Sequence, residues 1–347
     1  MRRTINGDLC HELIWNGIKP SLAFDSARDF EEWRIEAHKK FRELLCIDKI
    51  RENICPLNLE IEQTEECPSY TKIRFSFESE RGALVPCYLL IPKLGRDKYP
   101  LVICLQGHTG GFHHSIGEVK KEGDERFQPH TAHALQSVER GYAALCIEMR
   151  AMGERESSRY PNPGIHPCAI NALTAINLGR TTAGERVWDI SRAIDVMESL
   201  EDPRIDLDKI MIMGHSGGGT ATYYATCYDE RISYGVTCGA FCTYRDSILN
   251  IHHCVCNYIP DICNHFEMGD LAGLIAPRRL GIMTGRYDDI FPIKGVREAY
   301  DTVKNIYKAA GCPENVQLVE SDMGHVFDEK IFWESIINET DKMGWNA

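Results

Sequence analysis

The sequence predicts an α/β protein: a mostly parallel central sheet with helices on both faces, preceded by an antiparallel hairpin and a helical arm. Three observations carry this. From about residue 101 onward, six apolar runs of four to seven residues alternate with helical patterns. Between residues 57 and 91 the apolar period is two. The third of the six apolar runs ends in Gly214-His215-Ser216-Gly217-Gly218, where a strand turns at once into a helix around a serine.

Residues 1–56 read as a mostly helical arm packed on the main domain. Phe30, Trp33, Ala37, Phe41, Leu44 and Leu45 fall on one helix face, and such a stripe is a packing face rather than a binding box. From residue 57 the alternations Leu57/Leu59/Ile61 and Ile73/Phe75/Phe77, then the run 84–91, suggest three antiparallel strands, with Arg81-Gly82 turning between the last two. Residues 92–100 read as a loop. The six apolar runs follow at 101–105, 143–149, 210–213, 234–238, 280–284 and 316–319. Helical patterns lie at 133–140, 183–200, 220–227 and 295–310. Continuous apolar strands between helices are buried on both faces, which is the signature of a parallel sheet. With the hairpin in front, this is the order of an α/β-hydrolase sheet. No repeat or linker divides residues 57–347, which read as one catalytic domain. Loop insertions near 150–180 and 243–277 follow strand C-terminal ends, the edge where open α/β sheets build their sites.

Composition narrows the function classes. The 347 residues carry 39 Lys and Arg against 51 Asp and Glu, a formal charge of −12, so neither a nucleic acid nor an anionic membrane is an expected partner. Fifteen cysteines are an odd number in a chain too long to need disulfide staples. With no apolar segment after Arg2-Arg3 and no membrane-length run, a reduced, cytoplasmic protein is expected.

The chemistry is expected at Ser216. In the G-x-S-x-G turn the glycines two residues either side leave room for a backbone too tight for a Cβ. A serine needs a base and the base an orienting acid, in the order Ser, acid, His. Past the run 280–284 stand Asp288 and Asp289, either of which also suits a turn or helix cap. Past the run 316–319 stands His325. The order of all three groups at strand ends favours the chemical reading over three unrelated loop residues. Gln106-Gly107-His108-Thr109-Gly110-Gly111, after the run 101–105, is the loop expected to supply a second oxyanion donor beside the Gly217 amide. The His108 amide is the first choice and Thr109 the alternative. A metal is not expected at His108, His113 and His114, nor at His252-His253 and Cys254-x-Cys256, because no third ligand pattern accompanies them. Trp188-Asp189 with Arg192 and Asp195 reads as a structural helix face, and residues 202–206 as the turn before the serine-bearing strand.

These residues resemble the acetylxylan esterase and dienelactone hydrolase-like branch of the α/β-hydrolases. The match runs in order from about residue 70: VPCYLLIP, LQGHTGG, MRAMGERE, VWDISRAIDVM, IMGHSGGG, GLIAPRRLGIMTGRYDDIFP and DMGHVF. The stretch HHCVCNYIPDICNHFEMGDLAGLIAPR resembles the variant in esterases of the acetylxylan type. The family normally has His-Gly where this chain has Gln106-Gly107. The resemblance implies Asp288 as the acid and Asp289 as a bystander, no organic or metal cofactor, and a small-molecule or oligosaccharide ester as partner. It implies a serine carboxylesterase acting on short acyl esters, acetyl groups on sugars included. A serine peptidase or amidase of the same fold is the competing enzyme reading, and an inactive scaffold the non-enzyme one. The arm's apolar face also admits a homo-oligomer. An acid limb of the pH–rate profile is expected where His325 takes up a proton and can no longer accept one from serine.

Overall fold

Nine strands form one sheet in the order β1-β2-β3-β5-β4-β6-β7-β8-β9. The computed structural model describes residues 7–108, 110–157 and 167–337. The strands are β1 (Glu60–Glu66), β2 (Tyr70–Glu80), β3 (Ala83–Pro92), β4 (Tyr99–Leu105), β5 (Ala143–Ile147), β6 (Ile205–His215), β7 (Ile232–Cys238), β8 (Arg279–Gly285) and β9 (Val316–Ser321). β1, β2 and β3 pair antiparallel, and β3 meets β5 antiparallel. From β5 through β9 all pairings are parallel. All six expected apolar runs are strands of this parallel part.

Among the described residues, eight α-helices of five or more residues accompany them: α1 (Asp8–Gly17), α2 (Phe30–Leu44), α3 (Ile47–Arg51), α4 (His133–Glu139), α5 (Pro167–Asn177), α6 (Thr182–Leu200), α7 (Gly217–Tyr228) and α8 (Ile293–Ala309). Alternate residues of β4 show how the two faces are used. Leu101, Ile103 and Leu105 pack with α2, α6, α7 and α8, while Val102 and Cys104 pack with α4 and with Phe332, Trp333 and Ile336 near the C-terminus. A strand covered on both sides has no polar face to show, which is why its sequence is continuously apolar.

The aromatic stripe of the arm is α2. Its Asp29 cap accepts the Glu32 N–H at 2.9 Å, and Trp33, Ala37, Phe41 and Leu44 are buried. The Trp33 indole N–H donates to the Leu22 carbonyl, and Gly273 lies flat against the ring, where a Cβ would stand 2.2 Å from Cζ3. Two boundaries differ from expectation. β6 begins at Ile205, inside the expected turn, because Tyr99 of β4 already pairs there. α7 begins at Gly217 rather than at residue 220, so no spacer separates Ser216 from the helix.

Candidate active site

Three strand ends on one edge of the sheet converge. Ser216 follows β6, Asp288 follows β8 and His325 follows β9. The sequence makes the serine turn almost entirely from absences. A Cβ on Gly214 would lie 2.5 Å from the Gly218 carbonyl carbon, and one on Gly218 would lie 2.6 Å from the Leu105 oxygen. Ser216 itself sits at φ 56°, ψ −122°, a conformation that L side chains rarely adopt. Its N–H donates to the Cys238 carbonyl at 2.9 Å, so β7 helps hold the strained turn. Gly217 opens α7, where a first-turn N–H has no intrahelical acceptor and the helix dipole is positive.

The acid and imidazole are held as a pair before they meet the serine. Gly285 packs so closely on the Gly324 carbonyl that a Cβ would stand 2.2 Å from it. Arg286 N–H donates to Ser321 and Tyr287 N–H to Met323, which joins the two turns. Asp288 Oδ1 accepts from the N–H groups of Ile290 (2.8 Å) and Phe291 (2.9 Å), leaving Oδ2 for His325 Nδ1 at 2.8 Å. Burial works to raise the Asp288 carboxyl. The His325 hydrogen bond and charge, with the two backbone donors, outweigh it and hold the group below its ordinary range. An ionised carboxylate has only acceptors, so Nδ1 carries the proton. Nε2 is then the acceptor for Ser216 Oγ, 2.9 Å away. Asp289 is exposed. Phe291 stacks on the His325 ring at 5.9 Å between centroids, and His215 packs on it at 4.9 Å. Burial and the neighbouring imidazoles push His215 down to about 3, so it stays neutral and serves as packing.

The loop after β4 closes in from the other side. A Cβ on Gly107 would come within 3.1 Å of Ser216 Cβ, and one on Gly217 within 2.6 Å of the His108 ring. The His108 ring and Gly217 are therefore neighbours; Thr109 lies outside the described residues. Gln106, at the position where the resembling family has histidine, turns away from Ser216. Its amide donates to Ser115 and, at 2.9 Å, to the Thr131 carbonyl.

Sequence reasoning missed two constellations. Asp189 is more than a helix-face residue. It is buried at the centre of an ion network, accepting from Arg150 at 2.6 Å and Arg155 at 2.8 Å. Glu80 of β2 and Glu185 of α6 join through Arg150 and Arg180. This network fixes the loop after β5, whose Met152 lies beside Gly217. The other concerns metal-ligating groups. No accompanying ligand pattern such as HExxH or a paired CxxC was legible near His108 or Cys254-x-Cys256, yet folding brings His108, Cys168, Cys254 and Cys256 together. They come from three segments up to 148 residues apart, so no local spacing announces them. His113 and His114 likewise meet Asp124, whose carboxylate also accepts the Lys120 and Lys121 N–H groups.

The sheet order, the strained serine turn and the strand-end placement of the three groups define an α/β-hydrolase. The match to the model of the Abhydrolase family covers residues 5–330, so the chain belongs to that family. It is 26% identical over 298 residues to YtaP of Bacillus subtilis (strain 168), which is provisionally named a hydrolase; the match covers 84% of this chain and 94% of that protein. Among solved structures, a provisionally named acetyl xylan esterase from Bacteroides fragilis NCTC 9343 superimposes with a TM-score of 0.80 at 17% identity, covering 98% of this chain and 96% of the other. A glucuronoyl esterase from Solibacter usitatus gives 0.65 at 15% identity over 94% and 98% of the two chains. The acetyl xylan esterase of Paenibacillus sp. R4 gives 0.61 at 19% identity over 94% and 98%. In family and fold the chain is an α/β-hydrolase.

Proposed function

We propose that this protein is a serine carboxylesterase that cleaves short acyl esters, acetyl groups on carbohydrates included, through a covalent acyl-enzyme. The observation that carries the reading is the unbroken line from Ser216 Oγ through His325 to Asp288 Oδ2 at the ends of β6, β9 and β8. Acyl groups on sugars are favoured by the likeness to carbohydrate esterases.

In this mechanism Ser216 Oγ attacks the ester carbonyl while His325 Nε2 takes its proton. Asp288 fixes the imidazole tautomer and stabilises the imidazolium. The carbonyl oxygen becomes an oxyanion beside the Gly217 and His108 amides. As the C–O bond breaks, the imidazolium returns the proton to the departing alcohol. Water activated by the same imidazole then releases the acid. General-base catalysis contributes about 10²–10⁴ in rate and each oxyanion donor about 10²–10³.

The test is labelling with a fluorophosphonate, followed by p-nitrophenyl esters from acetate to octanoate, acetylated xylo-oligosaccharides and aminoacyl-naphthylamides. Label confined to Ser216 and a preference for short acyl esters are expected. A folded protein that takes no label, or that turns over the amides without preferring esters, would overturn the proposal.

A further inference from the structure

We infer that His108, Cys168, Cys254 and Cys256 form a four-ligand zinc site that clamps the loop after β4 to both insertions. The four ligand atoms all lie within 4.8 Å of one another, and His108 Nε2 is 3.2 Å from Cys256 Sγ. Zinc–sulfur bonds of about 2.3 Å in a tetrahedron place neighbouring ligand atoms about 3.8 Å apart. The observed cluster is of that size. None of the three cysteines is joined in a disulfide.

Charge supplies a second, independent observation. Arg186 of α6 is buried, and no carboxylate among the described residues pairs with it. Its guanidinium spends two donors on the Arg150 carbonyl and points Nη1 at Cys256 Sγ, 3.3 Å away. A buried guanidinium facing neutral thiols leaves a charge uncompensated in low dielectric. With Zn²⁺ bound, three thiol protons leave to solvent, and three thiolates plus one neutral imidazole give the site a net charge of −1. Arg186 then balances it. Three soft thiolates and one imidazole suit zinc, whereas Mg²⁺ and Ca²⁺ require oxygen.

The packing around the cluster shows why a clamp is needed. Ala151, Cys168, Ala172 and Cys256 form a small apolar cluster separate from the two large ones. So few side chains hold the segments weakly, and a structural metal is the usual remedy where apolar area is short. Cys168 lies in α5 within one insertion, and Cys254 and Cys256 lie in the other. His108 lies in the loop that meets Ser216. All four coordination positions come from the protein, so the metal has no open position for substrate and acts by position. Its effect on catalysis rests on the esterase reading, since it fixes the His108 amide; its binding does not.

The full chain, purified under reducing conditions, should carry about one zinc by atomic emission. After removal of zinc by a chelator, Co²⁺ should give the thiolate charge-transfer and intense d–d bands of a tetrahedral sulfur-rich site. Cys168→Ser and Cys254→Ser should each weaken zinc binding by more than about a hundredfold, beyond the loss typical of a residue that only orients a ligand. Cys10→Ser, at an exposed cysteine in α1, should leave binding unchanged. Should the serine variants fail to fold, the wild-type cobalt spectrum and a fall in melting temperature on zinc removal still decide. A wild-type chain giving no tetrahedral cobalt spectrum would overturn the site, as would zinc bound equally by both folded serine variants. Zinc-loaded protein without ester turnover would instead sink the esterase reading and leave the clamp standing.

Discussion

The two halves of the candidate site are held in different ways. The proposed reacting groups stand on strand ends, and backbone geometry places them: glycines without room for a Cβ, N–H groups on Asp288, and turns hydrogen-bonded to each other. The facing wall, as far as its described residues from the segments after β5 and β7 show, is placed by side chains. Buried arginines meet carboxylates, and thiols gather around His108. Backbone placement tolerates little change at a few positions. Side-chain placement spreads the burden over residues distant in sequence, each of which leaves an unmatched charge behind when removed.

The largest effect tests the strand-end half. Ser216→Ala should lower kcat by about a millionfold, as for other serine nucleophiles, while melting unchanged or slightly higher. Ester-hydrolysis assays beside calorimetry check both halves of that statement. Asp288→Asn comes next, with kcat lower by about ten-thousandfold and little change in KM, because Nδ1 then faces the wrong partner. The same variant separates chemistry from stability. The native Asp288 carboxyl is held below 3.8, so its contribution to stability is complete above that pH and fades as pH falls through the folded-state value. The melting-temperature gap between wild type and Asp288→Asn should therefore be present at neutral pH and close in acid.

The facing wall should respond in stability before chemistry. Asp189→Ala strands Arg155, leaves Arg150 with Glu80 and Glu185 alone, and should cost about 3–5 kcal/mol of unfolding free energy, read by denaturant titration. A smaller loss would mean that Arg155 finds water and that the wall is looser than it looks. Gly273→Ala, which drives a methyl into Trp33, should cost about 1–3 kcal/mol. Last, Arg286→Ala beside the acid turn removes ion pairs with Glu320 and with the exposed Asp322, and should leave the melting temperature within the scatter of repeat scans.

Legibility in the sequence followed the same division. Strand-end chemistry is encoded locally: an apolar run, then a glycine-spaced serine, an acid or a histidine, in a fixed order. Ser216, Asp288 and His325 could each be found within a window of ten residues, and the parallel sheet could be inferred from runs with no polar face. Asp189 sits on α6 at ordinary helical spacing, and only the arrival of Arg150 and Arg155 from another loop reveals its work. Cys168 lies 60 residues past His108 and 86 before Cys254, so no local spacing ties it to them. Gln106 could be seen to depart from the resembling family, but not to have turned toward Ser115 and Thr131, because a side chain's direction is set by what packs on it.

The outermost strand β1 carries a consequence unrelated to catalysis. Its seven residues are all exposed, and four are glutamates: Glu60, Glu62, Glu65 and Glu66. Among the described residues only β2 pairs with it, so its outer edge offers unpaired backbone groups that another chain's strand could extend. Glu62 and Glu65 pair with Arg74 and Lys72 of β2, and Glu66 with Lys93, so charged side chains crowd the ribbon. The register shift between Ile61 and Gln63 bends it away from a flat template. Charge and bend together disfavour pairing of this edge with another sheet.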